Sequence, residues 1–157
     1  MAGGLKIEFN EADMRELDRA LDKLQTGSYR VAAKAAAAPA GALLAAVRAA
    51  APVKTGTLRS ALVLHLERSR QKGKQVYDVV PTARANAVLQ KQVLHPNKGH
   101  RKVAYYPASQ EYGFSTKNGK RVPGKHYMGG TLAAGSEAYR KQILAEIEKN
   151  IDEAWGD

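Results

Sequence analysis

The sequence predicts an α+β fold, in which a small antiparallel sheet packs against N-terminal alanine-rich helices and a long C-terminal helix. Near both ends of the chain apolar residues recur at three- and four-residue steps, the spacing of one helix face. Between them lie short runs of alternating polarity, the period of a half-buried strand, set apart by turns rich in glycine, proline and asparagine.

The elements follow in order. Asn10 or Asp13 can cap a first helix to about residue 25, with Met14, Leu17, Leu21 and Leu24 on one face and charges on the other; Gly27 ends it. A second helix, over residues 28–50, runs through 13 alanines between Val31 and Ala51, strong in propensity and poor in volume, as suits close packing. Pro39 and Gly41 should kink or split it. Pro52 biases Ala51 away from the helical region and Gly56 turns the chain. From Leu58 the set Leu58, Ser60, Leu62, Leu64 and Leu66 alternates with Arg59, Ala61, Val63, His65 and Glu67, a strand. A polar connection at 69–74 leads to a returning strand at 75–80, ended by Pro81.

Residues 82–103 read as an insertion or flexible loop, with an apolar patch at Ala87, Val88, Leu89, Val93 and Leu94. A short strand at 103–106 precedes a short helix with Pro107 in its first turn and Gly113 just past its end. Asn118-Gly119 marks a hairpin tip in an exposed basic excursion. A last helix from about Thr131 to Trp155 places Tyr139, Ile143, Ile147, Ile151 and Trp155 at steps of four, a face expected to pack on the sheet.

At 157 residues and 44% hydrophobic content the chain is read as one domain, 1–157, with an ample core. The lack of cysteine excludes disulfides and thiolate chemistry and fits a reducing compartment. No signal peptide is read at the start. The most apolar stretch, 35–47, is 13 uncharged residues between Lys34 and Arg48. That falls short of the ~17 of a bilayer span, so a soluble protein is expected.

The net charge of +10 is unevenly placed, with residues 67–126 carrying thirteen basic and three acidic groups. The surplus gathers in three loops, at Arg68, Arg70, Lys72 and Lys74, at Lys98, Arg101 and Lys102, and at Lys117, Lys120, Arg121 and Lys125. Such a block suits an acidic protein surface or nucleic acid, or serves only to solvate the chain.

Catalytic constellations are poorly supported. Lys54-Thr55-Gly56 and Ser69-Arg70-Gln71-Lys72 mimic penicillin-binding-protein motifs, but in the wrong order and in too short a chain. His65, His95, His100 and His126 offer no metal-binding spacing, and His95 and His100 share only a turn. Glu111 is the lone acid between Asp78 and Glu137, better suited to an ion pair than to hydrolysis, which ordinarily needs a second group. Gly129-Gly130-Thr131 lacks the lysine of a phosphate loop. Tyr105, Tyr106, Tyr112, Phe114 and Tyr127, interleaved with basic residues, could form a stacking platform for nucleic acid, though no nucleic-acid motif accompanies them. No cofactor is expected.

Three motifs in sequence order carry a family resemblance. The first is Ala51, Pro52, Thr55, Gly56, Leu58 and Arg59; the second Tyr105, Glu111, Tyr112 and Gly113; the third, looser, Pro123, Tyr127 and Met128. Together with the flanking helices, over residues 28–155, they resemble the tail-completion, or head–tail connector, proteins of long-tailed bacteriophages. Phe114-Ser115 and Pro107 depart from the family pattern. The resemblance implies a non-enzymatic virion protein of the neck that joins the tail to the DNA-filled head, assembled in the host cytoplasm. Its implied partners are copies of itself in a hexameric ring, a neighbouring neck or head-completion protein, and a tail terminator or tail tube protein, with genomic DNA in the lumen and no membrane. The alternative is a basic nucleic-acid-binding module. Gly56 and Gly113 are expected to be backbone positions with positive φ, not ligand contacts.

Overall fold

The computed structural model describes residues 10–94, 99 and 101–155, with side chains as far as residue 152. His95, Lys98, His100 and the side chains of Ala154 and Trp155 therefore lie outside the described residues.

Residues 11–50 form one helix, α1 (Glu11–Ala50), 40 residues long, where two were expected. Asn10 caps it: its side chain accepts from Asp13 N at 2.9 Å, and the Asp13 carboxylate accepts from Asn10 N at 3.4 Å. The helix continues through Gly27, Pro39 and Gly41. Glycine in a helix interior costs only about 1 kcal/mol against alanine, and the alanine run and tertiary packing outweigh it. Pro39 is buried within the stretch that packs on the C-terminal helix, so tertiary contact offsets its missing hydrogen bond. α1 ends where Pro52 requires, with Ala51 extended at φ −61° and ψ 133°.

Gly56, at φ 77°, turns the chain into α2 (Thr57–Ala61), a single helical turn standing where a strand was expected. The alternation was ambiguous, because Leu58, Ala61 and Leu62 also lie at i, i+3 and i+4, and all three are buried together. The strand β1 (Leu62–Leu66) starts only there and pairs antiparallel with β2 (Tyr77–Pro81), from Leu62 opposite Pro81 to Leu66 opposite Tyr77.

Within residues 82–103, read as an insertion or flexible loop, the described residues form regular elements. Thr82 caps α3 (Ala83–Val88), the buried Leu89 follows, and β3 (Gln90–Leu94) pairs antiparallel with β4 (Arg101–Tyr105). Next come α4 (Tyr106–Tyr112), then β5 (Gly113–Ser115) and β6 (Arg121–Pro123), which form a hairpin with Gly119 at φ 77° near its tip. The expected single sheet is thus three separate two-stranded ribbons.

The last helix, α5 (Gly129–Trp155), packs along α1 rather than on a sheet. Alanine on α1 lets the two helices approach closely, and no ribbon is wide enough to offer α5 a face. Tyr139, Ile143 and Ile147 are half-buried. The helices run antiparallel. Near the α5 C-terminus the buried Asn150 accepts from Lys34 Nζ at 2.8 Å, while Tyr127, just before α5, shares a core with Val47. That core comprises Val47, Ala51, Leu58, Ala61, Leu62, Leu89 and Tyr127. Two arginines lace its edge: Arg48 donates to Leu62 O at 3.1 and 2.6 Å, and Arg59 to Ala49 O at 3.3 Å near the end of α1. α1 also holds an 18-residue window of mean hydropathy 1.3, long and apolar enough by composition to cross a membrane, of which 22% is buried within the fold.

Candidate functional site

The second and third sequence motifs meet in space. Glu111, at the end of α4, is buried, and its carboxylate accepts from the backbone N–H groups of Met128 and Gly129, each at 2.9 Å. These are free donors at the start of α5, where the helix dipole also favours a negative group. Glu111 therefore serves as a distant cap, bonded to backbone rather than to the basic neighbour expected. The backbones run alongside one another here, with Lys125 N donating to Gln110 O at 2.7 Å and His126 N to Glu111 O at 3.1 Å.

Two glycines permit this approach. Gly113 lies at φ 80°, and a Cβ there would overlap Val122 O and lie 2.6 Å from Gly124 N. A Cβ on Gly124 would overlap Glu111 O and fall 2.6 Å from the Tyr112 carbonyl carbon. Gly56 also has positive φ, as expected, but nothing lies within 4 Å of a Cβ there. Pro52, Thr55, Gly56, Leu58 and Arg59 form the α1–α2 joint: Leu58 is buried, and Thr55 Oγ1 lies 2.9 Å from Thr57 Oγ1. The named motif residues thus shape the backbone and core, except Tyr112, which is 68% exposed.

Tyr127 seals the crossing from within. It is 3% exposed, and its hydroxyl has no hydrogen-bond partner among the described residues. Burial, with the nearby Glu111 carboxylate adding to it, pushes the Tyr127 pKa up to about 12. Tyr105, whose hydroxyl donates to Asn86 Oδ1 at 2.7 Å, is also raised by burial.

The three basic clusters sit on three different hairpins. Arg68, Arg70, Lys72 and Lys74 are placed on the β1–β2 connection, where Gly73 packs against the Tyr29 ring of α1 and Lys74 approaches Glu67 at 4.0 Å. Arg101 and Lys102 begin β4, and Lys117, Lys120, Arg121 and Lys125 belong to or follow the β5–β6 hairpin; all are exposed. Only the second and third clusters come together. Lys102 and Lys117, joined by Lys91, line an open groove of about 1120 Å³ between the β3–β4 hairpin, α4 and β5. Its apolar lining includes Val93, Leu94, Val103, Ala104, Tyr112 and Phe114. Lys91 and this apolar lining were missed as a surface. The available signal was a pair of short apolar runs, at 93–94 and 103–105, on either side of a Pro-Asn-Lys-Gly sequence.

The five aromatics weighed as a stacking platform are dispersed. Tyr127 is core, Tyr105 and Tyr106 are half-buried, and Tyr112 and Phe114 remain exposed in the groove. Ser69 Oγ accepts from Gln71 N at 3.0 Å within a turn, far from the buried helix start that a nucleophilic serine would use. Among the described residues no three His, Asp or Glu side chains converge.

A family model described as "Bacteriophage HK97-gp10, putative tail-component" matches residues 15–109, more than half of the chain. The match runs from the first turns of α1 into α4 and includes the 51–59 motif and the β3–β4 hairpin; Glu111–Gly113 and the start of α5 follow it. No curated protein matches the chain, and no solved structure matches it.

Two outcomes follow from this geometry. Gly56→Ala should cost about 1 kcal/mol, the left-handed penalty alone, and Gly113→Ala substantially more, because its Cβ also meets backbone; equal urea midpoint shifts would contradict the crossing. Tyr127 should make stability fall at high pH. Its neutral form is favoured in the fold, so this contribution is complete below the unfolded pKa near 10 and is lost as pH rises through about 12. Tyr127→Phe should be neutral or stabilising at pH 7, since a buried unpaired hydroxyl is lost. It should also flatten the difference in unfolding free energy between pH 10 and 12.

Proposed function

The chain belongs to the HK97-gp10-like family of bacteriophage tail components, and from that premise we propose that it is a structural protein of the head–tail neck. In this reading it forms part of a tail-completion ring, hexameric in the virion, that joins the finished tail to the DNA-filled head. It contacts copies of itself, a neck or head-completion protein on one side and a tail terminator or tube protein on the other, with genomic DNA in the lumen. It assembles in the host cytoplasm and acts by contact, not catalysis.

The family match is the observation that carries this reading. The structure adds two supports. The residues that most resemble functional groups are committed to architecture: Glu111 caps α5, Arg59 bonds to a helix-end carbonyl, and Gly113 permits a backbone crossing. The exposed basic residues instead sit on three hairpins, where a scaffold commonly carries its contacts. A free nucleic-acid-binding module is the weaker reading, because Tyr127 is core and Tyr105 and Tyr106 are half-buried, so that two of the five aromatics stand exposed for stacking.

Deleting the gene should leave filled heads and separate tails that do not combine, scored by electron microscopy of lysates. Reversing Lys117, Lys120, Arg121 and Lys125 to Glu should give the same loss of joining while the purified variant keeps the wild-type circular dichroism. Joined, infectious particles from a clean deletion would contradict the proposed role.

A further inference from the structure

The first turns of α1 are built for a partner that the described residues do not supply. Residues 11–23 are all exposed, including Met14, Leu17 and Leu21 at 45%, 49% and 54%. Asn150 pairs with Lys34, and α5 continues only five residues beyond it, about 7.5 Å of helix. Much of the α1 N-terminal half therefore runs on beyond the end of α5. Met14, Leu17, Leu21 and Leu24 are spaced by three and four, as in the seam of a coiled coil. The positions flanking that seam are Glu11, Asp13, Asp18, Ala20 and Gln25, acidic or neutral in every case. Arg15, Arg19 and Lys23 lie on the outer side.

The groove is the complementary surface. Its exposed apolar residues, Leu94, Val103, Tyr112 and Phe114, are accompanied by lysines and by no acid. A chain cannot dock its own seam there. Leu89, Tyr105 and Tyr106 of the groove pack around Val47, and Leu21 lies 26 residues before Val47 in the same helix, about 39 Å away along its axis.

We propose that the seam of α1 in one copy docks in the groove of the next, with Met14, Leu17 and Leu21 against Leu94, Val103 and Phe114. Asp18 then faces Lys91, Lys102 and Lys117, with Glu11, which also pairs with Arg15 at 3.1 Å, and the capping Asp13 beside it. The contact is heterologous, seam to groove, and repeated around an axis it closes a ring. This inference rests on the self-association in the proposed neck ring and assigns the surfaces that make it.

The cysteine-free chain allows a direct test. Full-length Leu21→Cys protein carrying a mass tag is mixed with untagged Val103→Cys protein under glutathione oxidation, both positions being exposed. The expected product is a mixed disulfide dimer several-fold more abundant than either symmetric dimer, and reduced when the Leu21→Cys partner also carries Asp18→Lys. Predominant Leu21→Cys homodimers would show that seams pair with each other and would overturn the proposal. So would protection of the Val103→Cys thiol from alkylation by duplex DNA but not by a second copy, which would make the groove a nucleic-acid surface. Absence of the mixed dimer while native mass spectrometry shows wild-type oligomers would overturn the docking and leave the ring intact. Absence of both trapping and oligomers, in solution and in virions, would remove the ring reading as well.

Discussion

The C-terminal half of this fold hangs on a buried carboxylate. A charged group is costly to bury unless its lone pairs find donors, and Glu111 meets that demand with two N–H groups at the start of α5. Satisfying it brings the end of α4 against the start of a helix seventeen residues further on, from Tyr112 to Gly129, and the intervening β5–β6 hairpin must return through the same space. The backbones then pass so closely that Gly113 and Gly124 leave no room for a Cβ. Tyr127, placed by that crossing, completes the core against Val47 and Leu62. Carboxylate, glycine pair and buried ring thus form one unit that sets the direction of α5, and through α5 the long contact with α1.

The rest of the molecule is thinly packed by comparison. Its core is built largely from alanine, valine and leucine at the end of α1, and its strands occur as isolated two-stranded ribbons, which are marginal without something to lean on. Here β1–β2 leans on α1, β3–β4 on α3 and α4, and β5–β6 on α4, and all three carry their charge outward. Such a chain keeps a firm hub at the joint of α1, α2, Leu89 and Tyr127, and spends much of its length on surface. That distribution suits a protein whose work is contact with neighbours.

Much of this was legible in the residues. Asn118-Gly119 announced its hairpin, Pro107 and Gly113 bracketed α4, and Pro52 stopped α1, because each depends on local backbone chemistry. Where local rules conflicted with packing, the sequence misled. Gly27 and Pro39 argued for a broken helix, yet alanine propensity and the contact with α5 carry α1 through both. Leu58 fitted a strand and a helical turn equally, and burial of Leu58, Ala61 and Leu62 on one face decided it. The role of Glu111 was out of reach, since its donors lie seventeen and eighteen residues away and carry no side-chain signature. The groove was hidden for a similar reason: Lys91, Lys102 and Lys117 share a wall only once two hairpins and α4 are in place.

We propose that this protein stands at the junction of head and tail. Its position in the assembled particle tests that most directly. Gold-labelled antibody raised against the purified protein and applied to intact virions should mark the neck as a single ring of label between head and tail. Label spread along the tail shaft, gathered at the distal tip, or absent from complete particles would contradict the account.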